Sequence, residues 1–293
     1  MITSLTDTFQ RSCDHWSEAG RDEMEGFYAL ASIDYRHLAN AIDWKSWLET
    51  QQNAAGNRGL RLLDVACGSG KFPAALQSYA NLKSAKIQTI NYSLLDPSSF
   101  SISEASKELD LPFKADIEYQ MTLQDLKCDK GHFDVLWATH ALYAIPDREL
   151  RSALEKFSHA MGFGLEKAGV GFIAHASSQS HYLQFFKHYL NGFKSGDGTP
   201  YSSSEQIIKV LTEMGLPVKV KEISYINRAP RSQDIQVEKY LQRCLFDDTI
   251  SLKQMLSNPV TGPYLEKCQY DDSWQFKQYV SMIFLNTSGN SVT

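Results

Sequence analysis

Two different hydrophobic periods divide the chain. Residues 1 to about 52 place apolar side chains at steps of three and four, which predicts amphipathic helices. A loop is expected at 53–59, and from Leu60 onward short apolar runs are separated by polar segments, most of them long enough for a helix. These strand-like runs are 60–66, 86–95, 117–121, 133–138 and 170–176. Such alternation predicts an α/β protein with a parallel sheet and helices on both faces.

The second half continues with less regular patterns. A helix is predicted over 147–161, an aromatic-rich amphipathic stretch covers 181–193, and a further helix starts near Ser202 and runs to Gly215. A strand at 216–226, a mostly helical and polar segment at 228–270 and a final strand at 276–285 complete the chain. We therefore expect one compact unit, with a helical cap over 1–52 and the main domain over 53–293. Segments at about 177–204 and 228–270 are expected to cover the substrate.

Composition narrows the class of protein. The chain has 293 residues, of which 43% are hydrophobic and 22% charged, with a net charge of −5. This profile is globular, and it argues against a large nucleic-acid or anionic-membrane surface. No run is long enough for a membrane span, no signal peptide is recognisable, and five scattered cysteines suit reduced thiols. The sequence predicts a cytoplasmic protein that binds a small molecule, and it favours a monomer over an oligomer.

The sharpest local pattern is a glycine turn between a strand and a helix, at residues 62–72. Gly68 and Gly70 allow backbone to approach a ligand closely, and the helix that follows presents unpaired N–H groups. A P-loop would need glycine and a hydroxyl residue where Val65 and Phe72 stand. A dinucleotide-binding turn would need glycine at Pro73.

A third interpretation fits the turn better. Residues 64–70 resemble the first motif of class I S-adenosylmethionine-dependent methyltransferases, and the next strand-like run ends at Asp96, where a carboxylate can accept both ribose hydroxyl protons. Residues 122–125 follow the third run, where this family contacts adenine, and 133–139 are similar to its fourth motif. The whole layout resembles histamine N-methyltransferase and its small-molecule relatives.

The resemblance implies a fold and a set of site residues. The fold is Rossmann-like, a mostly parallel seven-stranded sheet with an antiparallel last strand, an N-terminal helical cap and a helical insertion. The cofactor residues are expected to be Asp64, Ala66, Gly68, Gly70, Asp96, Ser101, Thr122, Leu123 and Thr139. The substrate pocket is expected to use Tyr143, Phe186, Tyr201, Gln278 and a glutamate of the cap, with Glu23 chosen over Glu18 and Glu25.

His140 is the candidate general base, because its side chain follows the fourth strand and its ordinary pKa suits proton transfer near neutrality. It could equally be a histidine bonded to backbone at a strand end. His175 and His181 are further candidates. His181 and His188 lie seven residues apart, but no third ligand is apparent, so no metal site is predicted.

Three functions remain open on the sequence. The first is methyl transfer from S-adenosylmethionine to a nitrogen of an amine, amino acid or imidazole. The second is O-methylation of a carboxylate or hydroxyl of a natural product or modified peptide. The third, from another class, is a cofactor-binding scaffold without catalysis.

Overall fold

The sheet predicted from the apolar runs is present in the computed structural model, which describes residues 8–82 and 87–286, without the side chains of Phe9 and Glu23. Its main strands lie in the order β3-β2-β1-β4-β5-β8-β6, and the short β7 pairs with β8. Strands β1 to β5 pair in parallel, whereas β8 runs antiparallel to both β5 and β6. The strands are β1 (Arg61–Val65), β2 (Ile90–Leu95), β3 (Phe113–Tyr119), β4 (Val135–Thr139), β5 (Val170–Ala176), β6 (Val218–Pro230), β7 (Gln269–Tyr270) and β8 (Ser273–Leu285).

The helices flank this sheet and extend one end of it. They are α1 (Thr8–His15), α2 (Arg21–Ala41), α3 (Trp44–Ala55), α4 (Lys71–Tyr79), α5 (Ser99–Glu108), α6 (Asp147–Ala160), α7 (His181–Phe193), α8 (Ser204–Glu213), α9 (Asp234–Leu245), α10 (Leu252–Ser257) and α11 (Gly262–Glu266). In the part of the chain that the structure describes, no helix is long and apolar enough to cross a membrane.

Three apolar clusters hold the molecule together. Two cover the opposite faces of the sheet, one around Trp44 and Trp137 and the other around Leu136 and Phe157. The third lies between α2, α7, α9 and the far ends of β6 and β8, and contains Tyr240. The cap helix α2 is therefore part of the packed body, since it contacts α4, α9 and β6.

Two predicted boundaries were wrong for local reasons. The expected loop at 53–59 starts only at Gly56, because α3 continues to Ala55 and Gly56 closes it with a left-handed backbone (φ 70°) and an N–H bond to the Gln52 carbonyl. The third strand begins at Phe113, four residues before the expected start. It is an edge strand with exposed polar side chains, so no apolar run marks its beginning.

The region after β5 is largely packed into the core. The aromatic side chains of α7 are core residues: Phe185, Phe186 and Tyr189 are each at most 1% exposed. The segment 228–270, predicted to be polar, begins as the end of β6, and its helix α9 buries Val237, Tyr240 and other side chains. Its polar residues occupy the outer face of helices whose inner face packs on α2 and α7.

Candidate active site

A cavity opens at the carboxyl ends of β1, β2 and β4. The order of the strands reverses between β1 and β4, which is where open α/β sheets bind their ligands. The chain leaves β1 through a tight turn in which Ala66, Gly68 and Gly70 all have left-handed backbone angles (φ 51°, 51° and 69°). The cavity and its open mouth together contain about 950 Å³ of empty space.

Asp96 follows β2 and lines this cavity. Its carboxylate accepts backbone hydrogen bonds from Gly68 (3.1 Å) and Ser98 (2.9 Å), which fix it beside the glycine turn. Burial raises the pKa of Asp96 to about 6, and these two N–H donors oppose the rise. The acid predicted from the end of the second strand thus lies in the cavity wall.

The other predicted cofactor residues separate into two groups. Four more lie in the wall of this cavity: Ala66, Thr122, Leu123 and Thr139, in addition to Gly68 and Asp96. Three are not among its lining residues: Asp64, Gly70 and Ser101. The residues of the second group contact other parts of the protein near the cavity.

Each of these three has a structural partner. Asp64 accepts a hydrogen bond from the hydroxyl of Tyr92 in the neighbouring strand β2 (2.7 Å), and burial raises the pKa of Asp64 to about 7. A Cβ at Gly70 would lie 3.0 Å from the Ala105 Cα, so this glycine lets α4 and α5 approach. Ser101 donates to the Trp16 carbonyl (3.2 Å).

Lys71 lines the same cavity, although the sequence analysis did not single it out as a ligand-binding residue. It is the first residue of α4, and its ammonium lies 5.2 Å from the centre of the Tyr28 ring. A cation at the start of this helix adds to the unpaired N–H groups there. The cavity therefore combines a buried acid at one strand end with a positive charge at the glycine turn.

A second cavity adjoins the first and has about 660 Å³ of space including its mouth. The two share part of their walls: Ser12, Trp16, Tyr35, His140, Ala141 and Ala144. The remaining wall is mostly aromatic, from Phe27, Tyr143, Tyr182, Tyr201 and Phe246, with Asp34, Arg243 and Cys244. A small molecule in this space would lie next to a ligand of the first cavity, beside the residues that line both.

His140 stands in the shared wall at a left-handed backbone position (φ 54°) just after β4. Its Nδ1 lies 2.7 Å from the Tyr143 hydroxyl, which also accepts the backbone N–H of Ala176 (3.3 Å). Its Nε2 is buried without a hydrogen-bond partner among the described residues. Burial, and next the nearby His175, lower the pKa of His140 to about 3, so the imidazole is neutral at physiological pH.

Asp34 is the acid of the second cavity and is not among the site residues predicted from the sequence. Its carboxylate accepts hydrogen bonds from the Tyr182 hydroxyl (2.6 Å) and the Asn227 amide (3.0 Å), and burial raises its pKa to about 7. A signal was present: Asp34 lies midway between Leu30 and Leu38 at four-residue steps, on the buried face of α2.

Arg243 is the second charged residue that was missed. It belongs to the last turn of α9, is 2% exposed and lines the second cavity. Its guanidinium lies 4.3 Å from the centre of the Trp16 ring and donates from Nη1 to His15 Nδ1 (3.2 Å). Nothing in its local sequence distinguishes it from a solvated arginine, because α9 otherwise carries ordinary amphipathic spacing.

The predicted substrate residues are only partly brought together. Tyr143 and Tyr201 line the second cavity. Phe186 lies behind Tyr201, with the ring centres 3.7 Å apart, and Gln278 is fully buried between the Ser180 and Tyr240 hydroxyls. The side chain of Glu23 falls outside the described residues.

The other candidate histidines do not line either cavity. His175 donates from Nε2 to the Ser202 carbonyl (2.9 Å), and His181 Nδ1 lies 2.9 Å from the Tyr264 hydroxyl. Neither side chain is part of either cavity wall. Over residues 8–82 and 87–286, no group of three or more His, Cys, Asp or Glu side chains could hold a metal ion.

Comparisons with known proteins agree with this geometry. A family model described as a methyltransferase domain matches residues 62–162, which run from β1 to the end of α6. No curated protein matches the chain. Among solved structures, magnesium protoporphyrin IX methyltransferase from Synechocystis PCC 6803, with bound S-adenosylhomocysteine, has a TM-score of 0.54 at 12% identity, covering 96% of this chain and 100% of that one.

Two further structures have the same fold. A candidate methyltransferase from Bacillus halodurans C-125 has a TM-score of 0.50 at 13% identity, over 83% of this chain and 100% of that one. The YcgJ protein from Bacillus subtilis has a TM-score of 0.50 at 14% identity, over 82% of this chain and 97% of that one. Identities this low support the fold and leave the substrate open.

The sheet order and these likenesses define the class I methyltransferase fold, with β1, its glycine turn and the acid after β2 in their expected places. Residues 62–162 match the family model of a methyltransferase domain. The protein is an S-adenosylmethionine-dependent methyltransferase, and S-adenosylmethionine is its cofactor.

Proposed function

We propose that the enzyme transfers the methyl group of S-adenosylmethionine to a nitrogen of a small molecule, an amine, amino acid or imidazole. The observation that carries this proposal is the pair of adjoining cavities that share His140 and Tyr35 in one wall. One cavity is lined by polar groups that suit the cofactor, and the other has an aromatic wall with a buried acid. The sequence resemblance to the histamine N-methyltransferase group supports an amine acceptor. All five cysteines are thiols, which suits the cytoplasm.

In this proposal the first cavity holds the cofactor through its polar ends. Asp96 accepts the ribose hydroxyl protons, and Lys71 faces the carboxylate of the methionine end. Gly68 has no side chain to block the turn, while Ala66 and Thr139 lie beside it. Thr122 and Leu123 contact the adenine end. Asp64, Gly70 and Ser101 keep the turn and its neighbours in place.

When bound, the cofactor supplies an electrophilic methyl group on a sulfonium. A neutral acceptor nitrogen would take this methyl group. Its N–C bond would form as the C–S bond breaks with the electron pair on sulfur, and the new ammonium would release its proton to solvent. Holding the nitrogen and the methyl group at near-attack distance lowers the activation free energy by several kcal/mol, of the order of 7 to 11 kcal/mol in favourable intramolecular cases.

His140 is proposed as the group that orients the nucleophile. With Nδ1–H donated to Tyr143, the Nε2 lone pair can accept a hydrogen bond from an N–H of the acceptor nitrogen. The low pKa of His140 keeps this lone pair free of protons across the physiological range. Asp34 offers a negative charge to the ammonium that the transfer creates.

A second function, O-methylation of a carboxylate, is favoured by one observation. Arg243 lines the second cavity and could hold there a carboxylate that acts as the nucleophile. Identifying the methylated atom separates the two functions.

The test is methyl transfer from ¹³C-methyl S-adenosylmethionine to panels of amines, amino acids, imidazoles and carboxylic acids, with the product atom assigned by NMR. We expect an N-methyl product. His140→Asn keeps a residue type that tolerates the left-handed backbone and is expected to lower kcat by about 100-fold or more, whereas exposed His159→Asn has no effect. An ester product would establish the second function, and cofactor binding without any transfer would favour the scaffold.

A further inference from the structure

We propose that the methyl acceptor binds as a protonated aliphatic amine, and that Asp34 binds this ammonium and takes its proton before the methyl group is transferred. This inference rests on the proposed function and narrows its substrate class. An aliphatic amine is mostly protonated in neutral water, and an ammonium has no lone pair with which to attack. A base in the site raises the fraction of bound amine that can react. The imidazole of His140, whose pKa burial lowers to about 3, is too weak for this task.

Asp34 is held in the wall of the second cavity with room for a ligand. It belongs to α2, is 3% exposed and lines the cavity. The Tyr182 hydroxyl donates to one oxygen of its carboxylate (2.6 Å), and the Asn227 amide donates to the other (3.0 Å). Each oxygen of an ionised carboxylate can accept about two hydrogen bonds, so each retains a lone pair. The two donors, from α7 and β6, fix the carboxylate without exhausting it as an acceptor.

The groups around Asp34 are mostly uncharged. Phenols and one thiol face it from the elements packed around it: Tyr35 of α2, Tyr182 of α7, Tyr225 of β6, Tyr240 and Cys244 of α9, and Tyr143 after β4. Burial raises the pKa of each of these groups, so none is ionised at physiological pH. Arg243 lines the same cavity, with its guanidinium over the Trp16 ring and a hydrogen bond to His15. Asp34 is therefore the acid of this wall against which a cation can bind.

Asp34 also lies on the side of the cavity that adjoins the cofactor site. Tyr35, the next residue of α2, lines both cavities, and so does His140. The ring of Tyr182, which holds Asp34, has its centre 6.5 Å from that of Tyr143, and the Tyr143 hydroxyl is 2.7 Å from His140 Nδ1. An amine nitrogen bound by Asp34 is thus placed next to the wall that the two cavities share.

Aromatic rings complete a site for an ammonium. Phe27 and Tyr182 line the cavity with their ring centres 6.2 Å apart, and Tyr143 and Tyr201 line it with centres 5.9 Å apart. Faces of aromatic rings attract a cation, and this attraction is strongest where water is excluded. The same rings suit the apolar body that carries the amine.

The proton moves from nitrogen to oxygen within this site. The N–H bond of the ammonium breaks with its electron pair on nitrogen, and an O–H bond forms on Asp34, which gives a neutral amine and a neutral carboxylic acid. Burial raises the pKa of Asp34 to about 7, while Tyr182, Asn227 and Tyr225 oppose the rise. Burial lowers the pKa of an ammonium, so the two pKa values approach each other. The carboxyl then returns the proton to solvent through the mouth of the cavity.

The binding test uses calorimetric titration of the enzyme saturated with S-adenosylhomocysteine, so that no turnover is needed. The probes are amines paired with the alcohols of the same shape: phenethylamine with phenethyl alcohol, tyramine with tyrosol, tryptamine with tryptophol, and histamine with imidazoleethanol. At pH 8 we expect at least one amine to bind about tenfold or more tightly than its alcohol. Between pH 8 and pH 5.5 the affinity of that amine should fall by about tenfold or more, because Asp34 becomes protonated, whereas the affinity of the alcohol should not change.

Variants assign this pH dependence to Asp34. Asp34→Asn keeps the shape of the side chain and should remove both the advantage of the amine and its fall at low pH. Tyr182→Phe removes a donor to the ionised carboxylate, so it should move the fall to higher pH. Asp22→Asn changes an exposed aspartate of the same helix and is the matched control. Unchanged affinity for S-adenosylhomocysteine shows that each variant is folded.

Kinetics separates a base from a residue that only binds. With an amine that the enzyme methylates, kcat/KM of Asp34→Asn should be lower than that of wild type by about 100-fold or more at pH 7. It should then rise by about tenfold per pH unit towards the pKa of the amine, because solvent supplies the neutral form. A residue that only shapes the cavity would lower kcat/KM equally at every pH.

Three results would overturn the inference: alcohols that bind as tightly as their amines, an Asp34→Asn enzyme whose amine affinity keeps the wild-type pH dependence, or a loss of kcat/KM in this variant that does not depend on pH. Failure of the proposed function appears separately. In that case the saturated enzyme binds amines with the expected pH dependence but forms no N-methyl product, which overturns the proton transfer and retains the ammonium site.

Discussion

At the scale of single residues, burial determines the protonation state of the groups that matter. Burial raises the pKa of the carboxyls of Asp34 and Asp96 towards neutrality and lowers the pKa of His140 to about 3. The imidazole is therefore a neutral acceptor, and each carboxyl becomes a better anion when a hydrogen-bond donor or cation of the ligand reaches it. A ligand and the charges of this site thus stabilise one another.

His181, which lines neither cavity, makes the stability of the fold depend on pH, because its side chain is buried as a neutral imidazole. The pKa of His181 is lowered from 6.5 to about 3 by burial. Below pH 6.5 the unfolded chain takes up a proton that the folded one cannot, so wild-type stability falls as pH falls. His181→Phe removes this term, and its stability relative to wild type should rise by up to about 2 kcal/mol between pH 7.5 and 5.0.

Urea unfolding of both proteins at the two pH values checks this expectation. The loss of the Tyr264 contact affects the variant at both pH values and cancels in the comparison. A stability difference between the proteins that does not change with pH would contradict the low pKa of His181.

Individual site residues could be predicted from the sequence where a motif fixes their position along the chain. Asp96 could be placed because it follows β2, the strand that comes next after the glycine turn and α4, and consecutive parallel strands end at the same edge of the sheet. Asp34 and Arg243 could not, since they lie on α2 and α9, which only tertiary packing brings to one cavity. Asp64 belongs to the motif, but the alternation of side chains along β1 directs it towards Tyr92.

At the scale of elements, the N-terminal helices have unequal roles. Helix α2 is packed into the body through α4, α9 and β6. Helix α1 and the residue after it instead supply cavity wall, through Ser12, Cys13 and Trp16. The sequence predicted the helices from their period, but that period does not say which of them is core and which covers a ligand.

A chain shortened to begin at Ser17 separates these roles. It should remain folded, because α2 and its contacts are kept, with far-UV circular dichroism close to that of the full chain. Cofactor affinity should fall by about tenfold or more, since the wall formed by Ser12 and Trp16 is lost from both cavities. A shortened enzyme that binds cofactor as tightly as the full chain would show that α1 is not part of the site.

At the scale of the whole molecule, the fold was predictable and the substrate was not. Alternating apolar runs and one glycine turn are enough to predict the sheet, because they record how a parallel sheet is buried and connected. The antiparallel direction of the last strand followed from the family resemblance. The second cavity, in which we propose that the methyl acceptor binds, is built from α2, α7, α9 and the turn after β4. Its chemistry therefore depends on packing between segments that are distant in sequence.

The central claim is that the cavity at the ends of β1, β2 and β4 binds S-adenosylmethionine through Asp96. Its most direct test is calorimetric titration of wild type, Asp96→Ala and the exposed control Asp116→Ala with S-adenosylmethionine and S-adenosylhomocysteine. We expect roughly micromolar binding by wild type and the control, and a loss of about tenfold or more in Asp96→Ala. A folded wild-type protein that binds neither compound, or an Asp96→Ala protein with unchanged affinity, would contradict the account.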